Sequence, residues 1–329
     1  MKANSLVKAD SNLSQEQNAL MAKAATKFNE WRLLLDKYPP NTKRAYIADM
    51  NDYEQFCFRF GYPTISVDFE LTKKTIRHYV EDLALSELKR ATIERRISTL
   101  STIFRIMEMP NPMTVSEVFA KEIALTLRSK HKAQKQAKPL RIEDLEYINE
   151  TFKIEKLKDL RDLMVLNFLF SGLLRGAELA KIEHINISAR DNTLFIPVRK
   201  NDQDGKGGYC YLSDKCIELY ERWKQESGTH RGYLFRVIKR GGNVQENNIE
   251  YRSVYNIVRD VLTRCGIDAE GFSTHSGRVG SVVSMAEAGI SNIDIQLSGG
   301  WTDPKMPARY AEQVNTKRTG IAKLMGSRS

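Results

Sequence analysis

The sequence predicts a mainly α-helical protein of two domains, the second carrying a small antiparallel β-sheet. Three observations carry that expectation. Apolar residues recur at helical spacing through most of the chain. The stretch 129–138 (SKHKAQKQAK) has no large apolar side chain and only basic charges, so it reads as an exposed linker. One pair of β-rich runs, in 193–212, interrupts the helical pattern of the second half. A length of 329 residues also exceeds what one small domain needs.

Residues 1–14 are polar and aperiodic and read as a flexible tail. From Gln15 to Lys37, Leu20, Met21, Ala24, Phe28, Trp31 and Leu34 keep a helical beat that Pro39 and Pro40 stop. Asn41 and Thr42 then offer caps for a helix to Arg59, with Tyr46, Met50, Tyr53 and Phe56 on one side and Lys43 and Arg44 at its front. Further helices are expected at 71–85, introduced by Thr72, at 87–107, basic at its start (Lys89, Arg90, Arg95, Arg96), and at 113–128 after the Pro110/Pro112 break. Residues 15–128 thus read as one helical domain. The linker 129–138 would reach up to roughly 33 Å when extended.

After Pro139 the helical pattern restarts at 140–152 and at 156–170, the latter so apolar (Leu163, Met164, Leu166, Phe168, Leu169) that it belongs at the centre of a core. Ser171-Gly172 breaks it before a short helix over 173–185. The runs TLFIPV (193–198) and GYCYL (208–212) flank NDQDGKG, a composition suited to a β-hairpin turn. Helices follow at about 214–226, 250–265, 275–288, 293–297 and 305–314.

Hydrophobic content of 41% against 28% charged residues supports ordinary cores rather than disorder. No run of 18 apolar residues occurs and the N-terminus lacks an apolar signal core, so a cytoplasmic protein away from the membrane is expected. Cys57, Cys210, Cys216 and Cys265 fall at no metal-ligand spacing, and no metal or cofactor is expected. Net charge is +10, of which +7 lies in residues 1–138. That excess favours a polyanion, nucleic acid first, and makes the front domain the stronger electrostatic surface.

Taken singly, the candidate chemical residues are ambiguous. Arg175 in SGLLRGAELAKI suits a phosphate, yet it could equally pair with Glu178 one turn on. His275 and Arg278 share a helix face, a titratable ring beside a permanent cation, but such pairs arise often by chance. Trp301 offers a pure N–H donor or a plain hydrophobic anchor. Tyr310 is a nucleophile only where a base or positive field assists it. Lys200, at the mouth of the hairpin (IPVRKNDQDGKGG), suits a general acid if its tip reaches a site, and Lys206 competes for that role.

The ordered set is more telling. SGLLRGAELAKI, IPVRK, THSGRVG and GGWTDPKMPARY resemble the tyrosine recombinases of the phage integrase family, and GGW in particular resembles the Cre-like phage and plasmid enzymes. The resemblance spans essentially the whole chain and is strongest over 160–320. It implies a DNA clamp made of a core-binding domain (15–128) and a catalytic domain (139–314). It makes Tyr310 the nucleophile, with Arg175, Arg278, His275 and Trp301 on the scissile phosphate. Lys200 becomes the acid for the leaving oxygen and Glu178 the support of the site. It implies DNA contacts from Lys43, Arg44, Arg95 and Arg252, the last an arginine able to hold guanine bidentately or a phosphate. The expected partners are double-stranded DNA with inverted half-sites and three further copies, two subunits per site. Residues 315–329, with Ile321, Leu324 and Met325, would dock on a neighbouring subunit. A cytoplasmic, nucleoid-associated protein is expected, bacterial or encoded by a phage or plasmid. A Xer-like or transposon integrase needing accessory factors, and a DNA-binding protein that lost the chemistry, are the alternatives. Gly277, where Cre relatives often carry Ala, is expected to loosen its helix start.

Overall fold

A computed structural model of the chain describes residues 13–130, 136–199, 205–317 and 319–326. The chain divides into two compact units, 1–134 and 135–329.

The first unit is wholly helical where described. Helix α1 (Gln15–Leu34) opens on a reciprocal cap: Gln17 N donates to Ser14 Oγ (3.2 Å) and Ser14 N donates to Gln17 Oε1 (2.9 Å). Its inward stripe is Met21, Ala24, Phe28 and Trp31. Helix α2 (Pro40–Phe60) starts two residues before the expected Thr42, because proline at a first helical position loses no hydrogen bond. It ends at Gly61 (φ 72°), where Tyr62 N reaches back to Cys57 O at 2.9 Å. Asp68, not Thr72, caps α3 (Phe69–Leu85). Helix α4 (Arg90–Ile106) buries Ile93, Ile97, Leu100, Ile103 and Phe104. The single helix expected over 113–128 is broken into α5 (Pro112–Val115), α6 (Glu117–Thr126) and a 3₁₀ turn at 127–130, since Ser116 adopts an extended backbone to cap α6.

Two carboxylates, Asp49 buried and Asp52 half-buried, lock α2 to α4. Asp49 accepts from Arg95 Nη1 (2.5 Å) and Thr99 Oγ1 (2.8 Å). Asp52 accepts from Arg96 Nη1 (2.5 Å) and from Tyr79 Oη of α3 (2.7 Å). The described ends of the predicted linker are fastened: Lys130 Nζ donates to Ser86 O in the first unit, and Lys138 N to Gly271 O (2.9 Å) in the second.

The second unit is built around α8 (Leu157–Ser171), buried on nearly every side as its composition demands. Packed on it are α7 (Ile142–Thr151), α10 (Asp214–Ser227), α11 (Tyr251–Arg264) and α12 (Ser276–Glu287). Charged residues at the start of α8 are satisfied in pairs: Asp159 with Arg264 (2.7 Å), Asp162 with Arg161 (2.6 Å) and Lys158 (2.6 Å). Strands β1 (Ile187–Ser188), β2 (Thr193–Ile196) and β3 (Gly208–Tyr211) form an antiparallel sheet in which Thr193 opposes Tyr211 and Ile196 opposes Gly208. A second hairpin, β4 (Arg236–Ile238) with β5 (Val244–Asn248), was not expected from the sequence. Its signal was present as Gly241-Gly242, the second at φ 84°.

Only Gly176–Leu179 (α9) of the helix expected over 173–185 is α-helical; the rest is turn and a 3₁₀ segment at 184–186. The C-terminal run comprises α13 (Asn292–Gly299), α14 (Lys305–Tyr310), α15 (Glu312–Thr316) and α16 (Gly320–Gly326). A separate small core of Leu173, Val282, Ala286, Ile295 and Ala311, with Trp301, Tyr310 and Val314 against it, binds α12 to α15 together. Among the described residues no helix is long and apolar enough to cross a membrane.

Candidate active site

Arg278 is the hub of the site. It lies one turn into α12 and is only 4% exposed, so its cation needs acceptors. Two main-chain carbonyls supply them: Nη1 donates to Leu173 O and Nη2 to Gly299 O (2.8 Å). Leu173 presents its carbonyl from a left-handed backbone (φ 48°), unusual for a branched side chain and maintained by its burial in the small core. The Trp301 ring lies 3.9 Å from the guanidinium carbon. Tyr310 packs against the same indole, ring centroids 6.1 Å apart.

Arg175 joins from α9. Its own backbone N–H donates to Glu178 Oε2 (2.9 Å), and its Nη1 donates to Oε1 (2.6 Å). The pairing with Glu178 that the sequence left open is therefore present, and it also orients the guanidinium. Burial, then repulsion from Arg175, pulls the Arg278 guanidinium down to about 10, against the opposing influence of Glu178 and Tyr310. Arg278 stays cationic at neutral pH, and its lowered value reports two like charges held close in a desolvated place. Such an arrangement favours an anion between them.

His275 is the residue before α12 and is exposed; its backbone N–H donates to Ser273 Oγ (3.2 Å). Gly277 does not loosen this helix. A Cβ there would stand 2.9 Å from the Leu169 carbonyl carbon and 3.1 Å from its oxygen, so the glycine lets α12 close on α8. Ser281 reinforces that approach, its Oγ donating to Phe170 O at 2.6 Å.

Lys200 lies outside the described residues. Lys206 is described and exposed in the same connection. Arg199, which precedes Lys200 in IPVRK, was assigned no role from the sequence. Its guanidinium lies over Gly300 (φ 60°), where any Cβ would overlap Nη1, and Nη2 donates to Tyr209 O at 3.2 Å. Arg199 Nε is buried with no acceptor among the described residues, and the cation adds to the field on Arg278. The only sequence signal was a second basic residue at the hairpin mouth facing a double glycine.

The residues expected to contact DNA have local partners of their own. Arg252 is exposed on the first turn of α11, its guanidinium carbon 5.0 Å from the Tyr255 ring centroid. In the first unit, Lys43 pairs with Asp36, Arg44 donates to Asn41 Oδ1 (3.1 Å), and Arg95 is held by Asp49.

The chain is similar to known proteins in sequence and in fold. Residues 138–317, more than half the chain, match the Phage integrase family. An integrase/recombinase XerD homolog of Selenomonas ruminantium is 29% identical over 286 residues, covering 84% of this chain and 82% of the homolog. The recombinase Cre of Escherichia phage P1 is 24% identical, covering 78% and 80%. In fold, the chain is similar to the Tn1549 transposon integrase solved with transposon right end DNA (TM-score 0.65, 11% identity, 90% of this chain and 98% of that one). It is also similar to a lambda integrase dimer bound to a COC' core site (TM-score 0.56, 14% identity, 92% and 82%). With a buried Arg278 sharing its field with Arg175 and Tyr310, and a family match over residues 138–317, which include all three, this chain belongs to the phage integrase family as a tyrosine-type site-specific recombinase.

Proposed function

We propose that the protein cuts and rejoins DNA strands at paired recombination sites through a 3′-phosphotyrosyl intermediate on Tyr310. The observation that carries the reading is the buried Arg278, stacked on Trp301, with Arg175 and the Tyr310 phenol acting on the same guanidinium. A phosphodiester carries one negative charge that grows toward two in its five-coordinate transition state. Pre-placed guanidinium groups therefore bind the transition state better than the ground state. They supply charge neutralisation of the kind a metal ion gives elsewhere.

In this mechanism the Tyr310 oxygen attacks phosphorus and loses its proton as the bond to the 5′ oxygen breaks. His275, exposed at the edge of the site, takes or shares that proton. Lys200 protonates the leaving 5′ oxygen. The ester bond to Tyr310 retains the energy of the broken strand, so the reverse attack by a 5′ hydroxyl of the partner duplex reseals it without ATP. Two such exchanges pass through a four-way junction.

The DNA is a duplex with inverted half-sites, contacted by both domains. Lys43, Arg44, Arg95 and Arg252 contact it, Arg95 restrained by its hydrogen bond to Asp49 and Arg44 by its hydrogen bond to Asn41. Four subunits assemble on two sites. Helix α16 supports this stoichiometry, for Ile321 (64% exposed), Leu324 (51%) and Met325 (61%) leave an apolar surface open to solvent. A groove of about 490 Å³ bordered by Ile142, Leu145, Phe170, Leu173, Met285 and Ile290 offers a receiving surface of matching chemistry on the next subunit.

The test is incubation with nicked cognate DNA in EDTA, followed by denaturing electrophoresis. A covalent protein–DNA band is expected for the native protein and none for Tyr310→Phe. A band retained in Tyr310→Phe overturns the nucleophile. Tight specific binding with no band in the native protein identifies a DNA-binding protein without the chemistry.

A further inference from the structure

Three pairs of adjacent residues meet at one phenol. Tyr251 opens α11 immediately before Arg252. Its hydroxyl accepts a hydrogen bond from Thr274 Oγ1 at 2.9 Å, and Thr274 immediately precedes His275. Its ring edge lies against Gly176, which immediately follows Arg175: a Cβ on Gly176 would stand 3.1 Å from Tyr251 Cε2 and 2.9 Å from Thr274 Cβ.

These contacts are not interchangeable with generic packing. Thr274 is fully buried, so its hydroxyl requires a partner, and among the described residues Tyr251 supplies it. Gly176 has no side chain to hold the ring away, so the aromatic edge touches the backbone that aims Arg175. Asn248 Nδ2, donating to Ala180 O at 2.9 Å, fastens the far end of α9 beside the start of α11. Tyr251 itself is half exposed, on the turn of α11 that presents Arg252 to solvent. The Arg252 guanidinium faces the Tyr255 ring, which restrains its direction. Any movement of the first turn of α11 on engaging a base therefore moves the phenol. Through it, the movement reaches the backbone on either side of the phosphate site.

We propose that Tyr251 is a positioning residue that couples base recognition by Arg252 to alignment of Arg175 and His275, so that correct sequence accelerates cleavage beyond its effect on binding. The coupling rests on the proposed contact of Arg252 with DNA, taken as a contact to a base rather than to a phosphate.

The experiment measures binding and single-turnover cleavage on nicked half-site DNA, cognate or changed at one base pair. That base pair is first defined as the one where Arg252→Ala loses discrimination in binding. For Tyr251→Phe, binding to both DNAs stays within about twofold of native. Cleavage of cognate DNA falls about tenfold, the scale expected for small misalignment of positioned groups. Cleavage of the changed DNA is unaltered. Thr274→Val reproduces the effect, the double variant is no worse than either single one, and Thr274→Ser restores the native rate. Cognate cleavage at the native rate in Tyr251→Phe overturns the coupling, as does equal slowing on both DNAs, the signature of a purely structural role. If Arg252→Ala loses discrimination at no base pair, the base-reading assignment falls and the coupling with it. Discrimination lost there, with equal slowing in Tyr251→Phe, sinks the coupling alone.

Discussion

Replacing Gly277 by alanine sets two physical effects against each other at the start of α12. Alanine is favoured over glycine within a helix by about 1 kcal/mol. The new Cβ, however, would stand 2.9 Å from the Leu169 carbonyl carbon and 3.0 Å from its Cβ, inside ordinary contact distance. The obstacle is the backbone of the most buried helix in the unit, which cannot rotate away. Overpacking of this kind costs about 1–3 kcal/mol. The clash wins, leaving a net loss of about 1 kcal/mol and a melting temperature about 2–4 °C lower for a unit of this size. The displacement of α12 also reaches Arg278, the next residue, whose guanidinium is fixed by Leu173 O and Gly299 O. Cleavage should slow by about three- to tenfold with DNA affinity unchanged. Gly280→Ala provides the scale. Its Cβ would overlap the Leu140 carbonyl, held in place by Leu140 N donating to Ser276 O (3.0 Å), and a loss of about 3 kcal/mol is expected. Calorimetry and single-turnover cleavage decide the matter. A Gly277→Ala protein that melts higher than native and cleaves normally would refute the close-packing account and restore the loose-helix expectation.

Four further outcomes follow from particular contacts. Leu173→Ala and Leu173→Gly each lose about 2–5 kcal/mol of core packing, but the left-handed backbone should leave the glycine variant about 1 kcal/mol the more stable in urea unfolding; alanine ahead of glycine contradicts the strain. Burial, then Arg236, holds the His184 imidazole down to about 4, whereas the unfolded chain titrates near 6.5. The unfolded state therefore binds the extra proton, and stability falls by up to about 3 kcal/mol as pH drops through that window. His184→Gln should flatten the melting-temperature profile there, and an unchanged slope excludes His184 as its source. On DNA whose leaving 5′ oxygen is replaced by sulfur, a general acid becomes dispensable, so Lys200→Ala should recover and Lys206→Ala should gain nothing; the converse pattern reassigns the acid. Deleting 315–329 should leave half-site binding intact and abolish DNA-bound tetramers on native gels; tetramers that persist rule out the exchanged helix.

The sequence made most of the fold legible because its helices are amphipathic and its core helix is apolar all round. What it concealed were interruptions decided by single backbone positions. Ser116 divides one expected helix by capping the second piece, and the segment after Leu179 leaves the α conformation although its residues tolerate it. The site was legible as a set of side chains in order. Its assembly was not, because the groups that orient those side chains are largely main-chain atoms. Arg278 depends on the carbonyls of Leu173 and Gly299, and a carbonyl has no letter in the sequence. Arg199 was overlooked for the related reason that its partners are Gly300, Gly208 and the Tyr209 carbonyl, none of which advertises a cation. This accounts for the character of the motifs themselves. SGLLR needs Leu173 left-handed and buried before Arg175 is of use, and GGW needs two residues without side chains, one to accept the Trp301 ring and one to admit Arg199. The glycines and leucines between the chemical residues are therefore part of the phosphate site, since they decide where its arginines can stand.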